Sequence, residues 1–349
     1  MTLSEKDFPS IIENENVLDD LLSKPSPQVV DVISQIDGDF LLLGVNGKIG
    51  ISLARMIKRA CDLAGVKKRV VGVSRFSSPE GRRTLEEFGV ETLMGDLLDR
   101  NFLENLPSLK NVIFMAAMKF GSSENLPFMW AMNSYLPGLV AEKYCESKIV
   151  TYSTGCVYPL VRVDSGGSKE SDAPQPVGEY GQSCLGRERM FQFISEKMKT
   201  PIAIIRLNYA VEMRYGVLVD IALKIKNDQV VDLNMGYFNA IWQGDANAMV
   251  LSSFAHCSAP ANILNITGPE TVSVRRVAEQ FGELFNKKPA FVGQEAETAL
   301  LSDAGKAFKL FGYPQIPLQQ IIQWTGDWIM KNQPLLQKPT HFEVRNGNF

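Results

Sequence analysis

The 349-residue sequence contains few of the residues on which metal centres and disulfide scaffolds depend. Its two histidines exclude a histidine-rich metal centre. Its five cysteines are scattered without Cys-x-x-Cys spacing, so neither a zinc site nor a disulfide framework is expected. A formal net charge of −3 gives no overall basic surface, and we therefore expect no nucleic-acid partner.

Long apolar runs are missing as well. No stretch approaches the ~20 residues that a helix needs to cross a bilayer, and the acidic N-terminal region lacks the basic and apolar parts of a signal peptide. A hydrophobic content of 45% and a charged content of 21% are ordinary for a globular protein. These features predict a cytoplasmic protein without a membrane partner and with room for two domains.

Short apolar runs alternate with helical stretches through the first 207 residues. Runs such as Phe40-Leu41-Leu42-Leu43 are typical of parallel strands that are covered on both faces. The alternation predicts a Rossmann-like α/β fold, with a doubly wound parallel sheet. We expect a helical extension at 1–37, a dinucleotide-binding domain at 38–207 and a mainly substrate-binding domain at 208–349, of which about 240–257 returns to the first domain.

A glycine-rich turn follows the first predicted strand and opens the next helix. Its three glycines are spaced three residues apart, which allows a tight turn, a close approach of the backbone to a pyrophosphate, and close packing of the helix on the strand. The alternative is an ordinary strand-to-helix turn. The predicted cofactor-binding residues of this turn are Gly44, Asn46, Gly47, Lys48, Ile49 and Gly50.

The end of the second predicted strand bears on the choice of cofactor. NAD enzymes usually have an acidic residue here that binds the ribose, but this chain has Ser74-Arg75. Since an arginine suits a 2′-phosphate, NADP is favoured, and NAD is possible. The alternative is a surface arginine at the end of the strand.

Five further motifs follow in one order along the chain. They are Ala116-Ala117-Met118-Lys119, Ser153-Thr154-Gly155-Cys156-Val157-Tyr158, Tyr180-Gly181-Gln182-Ser183-Cys184, Arg206-Leu207-Asn208-Tyr209 and Ile241-Trp242-Gln243-Gly244-Asp245. Over roughly residues 38–330, their order resembles the extended short-chain dehydrogenase/reductase family, which includes sugar-nucleotide epimerases and dehydratases.

The resemblance implies roles for individual residues. Thr154 would hold the substrate oxygen, and Tyr180 would be the acid/base, which requires a phenol pKa well below its usual value of about 10. Asn208 would lie at the substrate. An aspartate at the end of the third strand would contact the adenine ring, although it is alternatively a helix cap. The cofactor residues implied in this way are Asp96, Leu97, Ala116, Ala117, Lys119, Asn133 and Tyr180.

Cys184 lies four residues after Tyr180, where the family has a lysine that lowers the phenol pKa and holds the nicotinamide ribose. A neutral thiol supplies no positive field, and a thiolate would raise the pKa of Tyr180. Three explanations are open. Another cation (Arg187, Arg189 or Lys119) replaces the lysine, or the thiol is itself an acid/base or redox group. In the third, the protein transfers no hydride and is a dinucleotide-dependent sensor or scaffold.

Two arginines are additional candidates. Arg187 falls on the helix face of Tyr180, where it could support the catalytic residue or bind a substrate anion. The default interpretation of Arg187-Glu188-Arg189 is instead a solvated or salt-bridged surface. Arg214 is a candidate for binding a substrate phosphate or carboxylate, and its alternative is a solvated loop.

The sequence thus predicts an NAD(P)-dependent oxidoreductase or epimerase that acts on a carbinol carbon of a sugar, sugar acid or nucleotide-sugar. A dehydratase is less favoured, because Gly155-Cys156 stands where those enzymes typically carry an Asp-Glu pair. The other hypothesis is a catalytically degraded dinucleotide-binding sensor or scaffold. No metal is expected, and the resemblance implies a homodimer formed through the helices that carry Asn133 and Tyr180.

Overall fold

The computed structural model describes residues 8–119 and 124–347. Its strands are β1 (Phe40–Leu43), β2 (Val70–Ser74), β3 (Glu91–Met94), β4 (Asn111–Phe114), β5 (Lys148–Thr154), β6 (Val161–Arg162), β7 (Ile202–Leu207), β8 (Ala210–Val211), β9 (Val231–Asp232), β10 (Tyr237–Phe238), β11 (Ile241–Trp242), β12 (Asn262–Ile266), β13 (Val272–Ser273), β14 (Phe291–Val292) and β15 (Thr298–Ala299). The helices are α1 (Glu15–Leu22), α2 (Pro27–Gln35), α3 (Gly50–Ala64), α4 (Pro79–Glu87), α5 (Arg100–Asn105), α6 (Leu126–Trp130), α7 (Leu136–Lys143), α8 (Gly178–Met198), α9 (Val217–Lys226), α10 (Gln243–Ser252), α11 (Val274–Phe285), α12 (Gly305–Phe311) and α13 (Leu318–Met330).

A seven-stranded parallel sheet organises the first half of the chain. Its order is β12-β7-β5-β4-β1-β2-β3, so the order reverses between β1 and β4. In the register, Phe40 of β1 lies opposite Val70 of β2 on one side and Asn111 of β4 on the other. Ligands of such sheets bind in the crevice at the carboxyl ends of the strands, at this reversal point. The predicted Rossmann-like fold is therefore confirmed.

Alternating side chains of the strands pack into two apolar layers. Leu42 of β1 joins a core with residues of α2, α3 and α10, whereas Leu41 and Leu43 join a core with residues of α7 and α8 on the other face. Neighbouring strand side chains point to opposite faces, and both faces are covered, so the four residues of β1 are all buried. This explains why the strand is a continuous apolar run.

A separate apolar core fills the second half. It is built mainly from α9, α11 and α13, and both Trp324 and Trp328 are buried in it. Leu18 and Leu22 of α1 belong to this second core, whereas Val29 and Ile33 of α2 belong to the core under the sheet. The N-terminal extension is therefore shared between the two halves.

The sheet takes in more of the second half than the segment predicted to return. Helix α10 packs on the sheet within the predicted range of about 240–257, but strand β12 lies beyond that range and forms the edge of the sheet next to β7. Within the residues described, no helix combines the length and the apolar character needed to cross a bilayer. The same ranges hold no group of three or more His, Cys, Asp or Glu side chains arranged to bind a metal.

Candidate active site

The glycine turn after β1 has the shape needed to receive a phosphate group. Gly44 has φ +95°, and a Cβ there would lie 2.7 Å from the backbone nitrogen of Ala116. A Cβ on Gly50 would collide with the carbonyl oxygen of Val45, so α3 packs closely on the turn. A Cβ on Gly47 would meet nothing nearer than 3.5 Å, which leaves space on the outer side of the turn. These residues fit a bound pyrophosphate.

Lys48 is the charged group of this turn. Its Nζ lies 3.0 Å from the centroid of the Tyr215 ring, which belongs to the opposite half of the molecule. Burial, followed by the positive charges of Lys119 and Lys338, lowers the pKa of Lys48 to about 6. An anion bound beside these lysines would favour the charged form of Lys48.

The strand ends beyond the glycine turn carry the adenosine-side candidates. Ser74 ends β2 and lies opposite Met94 of β3, and Arg75 is exposed. Asp96 accepts a hydrogen bond from the Leu98 amide at 2.9 Å, while Leu97 is buried. The N-cap of α5 is Asp99, whose side chain accepts from two amides of the first turn. Helix capping is therefore not the role of Asp96.

Asn133 connects the Lys119 loop to the helix of Tyr180. It lies in a π-helical turn (Ala131–Tyr135) between α6 and α7, a local distortion that is frequent at functional sites. Its Oδ1 accepts from the Met118 amide at 2.9 Å, and its Nδ2 donates to the Met118 carbonyl at 2.9 Å and to Ser183 Oγ at 3.1 Å. Asn133 thereby positions the segment Ala116-Ala117-Met118-Lys119 against α8.

Thr154 and Tyr180 come from adjacent elements. Thr154 is the last residue of β5, and its Oγ1 accepts from the Cys156 amide at 3.1 Å, which leaves the hydroxyl proton available to a substrate oxygen. Tyr180 lies in the first turn of α8 and packs with Val157, Tyr158 and Cys184. The two hydroxyl residues therefore border the same edge of the sheet.

The surroundings of Tyr180 favour its neutral form. Burial raises its pKa well above the usual value, and the neighbouring Cys184 and Cys156 raise it further, whereas Arg187 lowers it. Cys184 is 0% exposed, and burial raises the pKa of its thiol. As a buried neutral thiol, Cys184 supplies no positive charge to the phenol.

Two cations flank Tyr180 in different ways. The Nζ of Lys119 lies 5.9 Å from the centroid of the Tyr180 ring. Arg187 is 3% exposed and donates to the Tyr152 carbonyl at 2.8 Å and to Asn133 Oδ1 at 3.0 Å, so its guanidinium is held under the site. The default interpretation of the Arg187 stretch as a solvated surface is thus wrong for Arg187.

Glu188, the next residue, is also buried and forms an ion pair that the sequence did not indicate. Its carboxylate pairs with Arg206 of β7 at 2.6 Å and accepts from Ser153 Oγ at 2.5 Å. Burial alone would lower the pKa of Arg206, but the hydrogen bonds and charge of Glu188 raise it. Arg206 also donates to the Tyr158 hydroxyl at 2.7 Å. Glu188 thereby joins α8 to β5, the strand of Thr154, and to β7. Of Arg187, Glu188 and Arg189, only Arg189 is exposed.

Both residues that were candidates for binding the substrate contact other residues of the protein. Asn208 is buried, and a Cβ on Gly155 would lie 3.0 Å from its Cγ, so it supports the turn after Thr154. The guanidinium of Arg214 contacts three carboxylates, those of Glu212 (3.1 Å), Asp19 (2.9 Å) and Glu15 (3.3 Å). Arg214 thereby links its own loop to α1.

No protein-family model matches the sequence, and no curated protein matches it. Solved structures do match the fold of the chain. UDP-glucuronic acid 4-epimerase from Bacillus cereus, in complex with UDP-glucuronic acid and NAD, is 17% identical with a TM-score of 0.69, over 84% of this chain and 99% of its own. UDP-glucose 4-epimerase from Thermotoga maritima, with UDP-glucose, is 17% identical with a TM-score of 0.70, again over 84% and 99%. The dTDP-glucose 4,6-dehydratase from Streptomyces venezuelae, with NAD bound, is 17% identical with a TM-score of 0.72, over 84% and 97%. The chain has the fold of these enzymes.

Proposed function

We propose that this protein is an NAD(P)-dependent oxidoreductase or epimerase acting on a carbinol carbon of a nucleotide-linked sugar. The proposal depends mainly on one observation, the position of Lys119 5.9 Å from the Tyr180 ring, because it supplies the charge that Cys184 does not. The glycine turn and Thr154 lie at the same edge of the sheet. The named ligands of the structurally similar enzymes support the choice of a nucleotide-sugar.

The residues of the chain divide the work of the reaction. A bound nicotinamide would accept hydride from the carbinol carbon and return it. The Tyr180 phenolate takes the proton of the carbinol hydroxyl, while Thr154 donates a hydrogen bond to the same oxygen. The turn at Gly44–Gly50 and the Lys48 ammonium hold the pyrophosphate.

Lys119 is a better replacement for the missing lysine than Arg187. Arg187 is committed to two hydrogen-bond acceptors and lies under the site. Lys119 is on the loop that follows β4 and faces the aromatic ring directly. We assign Lys119 to stabilising the phenolate. Arg187, whose charge also lowers the pKa of Tyr180, is assigned mainly to positioning Asn133 and α8.

NADP is the favoured cofactor, because exposed Arg75 follows β2 without an acidic residue before it. A homodimer is proposed because α8 and the π-helical turn before α7 leave large apolar side chains in solvent. Tyr135 is 51% exposed and Phe193 is 56% exposed. Sedimentation of the wild type should give a dimer, and Phe193→Glu should give a monomer.

The raised pKa of Tyr180 favours one second candidate, a dinucleotide-binding sensor without turnover. Fluorescence titration with NADPH and NADH, followed by a turnover assay on a panel of UDP- and dTDP-sugars, separates the two functions. We expect binding and turnover, with at least a ~100-fold loss of turnover in Tyr180→Phe and unchanged cofactor binding. Binding without turnover on any sugar of the panel would identify the sensor instead.

A further inference from the structure

The chain after α13 runs back across the molecule as an extended segment, here called the strap (residues 334–347). Its first attachments are to the second half. The Leu336 amide donates to the Arg214 carbonyl at 3.0 Å. The Thr340 amide and hydroxyl both donate to Asp220 Oδ2 of α9, at 2.8 and 2.5 Å.

The middle of the strap is held by one apolar side chain and several polar ones. Phe342 is buried in the second core, and Glu343 pairs with Lys224 of α9 at 3.7 Å. Arg345 donates to the Thr298 carbonyl at 2.7 Å, to Thr298 Oγ1 at 2.7 Å and to the Asn234 carbonyl at 3.0 Å. The strap therefore passes from α9 to β15.

The end of the strap reaches the helix of Tyr180. A Cβ on Gly178, the first residue of α8, would lie 2.8 Å from the Cα of Gly347, and a Cβ on Gly347 would collide with the Val177 carbonyl. Gly347 thus lies against the backbone just before Tyr180. The strap joins the substrate-binding half directly to the catalytic helix.

The other anchor of the strap approaches the cofactor turn. The Leu336 amide is hydrogen-bonded to the Arg214 carbonyl, and the ring centroid of the residue after Arg214, Tyr215, lies 3.0 Å from the Nζ of Lys48. In the interior, Tyr209 is close enough to Cys156, Tyr215 and Glu343 for their charges to raise its pKa, after the larger effect of burial. The strap and its anchor loop therefore border the cleft from the glycine turn to Tyr180.

We propose that the strap is a gate over the cleft, closed by its attachments at Asp220, Thr298 and α8, which must detach for ligands to exchange. Most of these attachments are polar, and residues 336–339 between them are exposed, so detachment leaves the sheet intact and its main apolar cost is the withdrawal of Phe342 from the second core. The identity of the ligand that passes the gate rests on the proposed function, but the gating itself does not.

An engineered disulfide between the strap and α9 tests the gate. In Thr340→Cys combined with Asp220→Cys, oxidation should fix the strap closed, and dithiothreitol should release it. The readout is the alkylation rate of Cys156 by iodoacetamide, followed by peptide mass spectrometry. Cys156 is half-buried and its carbonyl oxygen lies 2.6 Å from where a Cβ on Gly181 would be, so it reports access to the site.

We expect alkylation of Cys156 to be about tenfold slower in the oxidised than in the reduced double variant, because the reagent then waits for a rarer opening. In Arg345→Ala, which removes the Thr298 attachment and contains no disulfide, Cys156 should be alkylated several times faster than in the wild type. Equal rates in the oxidised and reduced forms would overturn the gate.

Stopped-flow binding of NADPH to the same two forms separates this proposal from the proposed function. Slower NADPH entry in the oxidised form supports the gate for the cofactor itself. If neither NADPH nor NADH binds to either form, the proposed function fails, while the Cys156 rates still decide on the gate.

Discussion

Replacing Lys119 by methionine tests whether this lysine supplies the positive charge to Tyr180 that Cys184 does not. At the 5.9 Å that separates its Nζ from the Tyr180 ring centroid, and with an effective dielectric constant of about 20, a unit charge would stabilise a phenolate by about 3 kcal/mol, or about two pKa units. Because Lys119 is only half-buried, solvent screening brings the expected effect to about one to two units.

The sign of the change follows from the charge. A positive charge beside the ring favours the ionised phenol and lowers its pKa, so on our assignment the removal of Lys119 raises the pKa and leaves less phenolate at any given pH. The rising limb of kcat against pH, measured with a sugar from the turnover panel, should therefore move up by about one to two units in Lys119→Met. At pH values below this limb, kcat of Lys119→Met should be about 10- to 100-fold lower than that of the wild type.

The controls distinguish a charge effect from a structural one. Lys119→Arg keeps the charge and should keep the limb close to its wild-type position. Lys143→Met removes a lysine that donates to the Glu104 carbonyl at the surface, and it should leave the pH dependence of kcat unchanged. A Lys119→Met limb that stays in place would refute the assignment, and a shift in Arg187→Met instead would transfer the electrostatic role to Arg187.

Further variants test the cofactor turn, the buried pair and the cofactor choice. Gly50→Ala should lose stability and cofactor binding, whereas Gly47→Ala, with nothing closer than 3.5 Å to its Cβ, should remain folded and only bind NADPH more weakly in thermal-shift and fluorescence titrations. Glu188→Gln should cost about 3–5 kcal/mol in urea unfolding, because it leaves Arg206 buried without its counter-charge; a loss below about 1 kcal/mol would contradict this. Arg75→Ala should weaken NADPH binding about 10- to 100-fold and leave NADH binding unchanged, since only NADPH has the 2′-phosphate.

The sheet could be predicted from the sequence because helices cover both of its faces. A parallel strand with helices on both faces is mostly apolar, and β1 is buried throughout, so it is visible as a continuous apolar run. The glycine turn was predictable for a related reason, since Gly44 and Gly50 occupy places where a side chain would strike the backbone. Both signals are local in the chain.

The charged interior of the site was not visible in this way. A helix segment with three charges in a row is normally solvated, and nothing near Glu188 shows that Arg206 lies opposite it on β7, 18 residues later. The placement of Lys119 against Tyr180 likewise depends on Asn133, which joins two segments that are distant in sequence. Such pairings are consequences of the fold and become predictable only after the strands are in register.

The sharing of the N-terminal extension between the two cores limits how far the cleft can open. Helix α1 is packed into the second core and α2 into the core under the sheet, and residues 23–26 connect them. A connection of this length spans at most about 14 Å when fully extended. The extension is therefore a short tether between the two halves, and any rotation that widens the cleft must either stay within its reach or pull one helix out of its core.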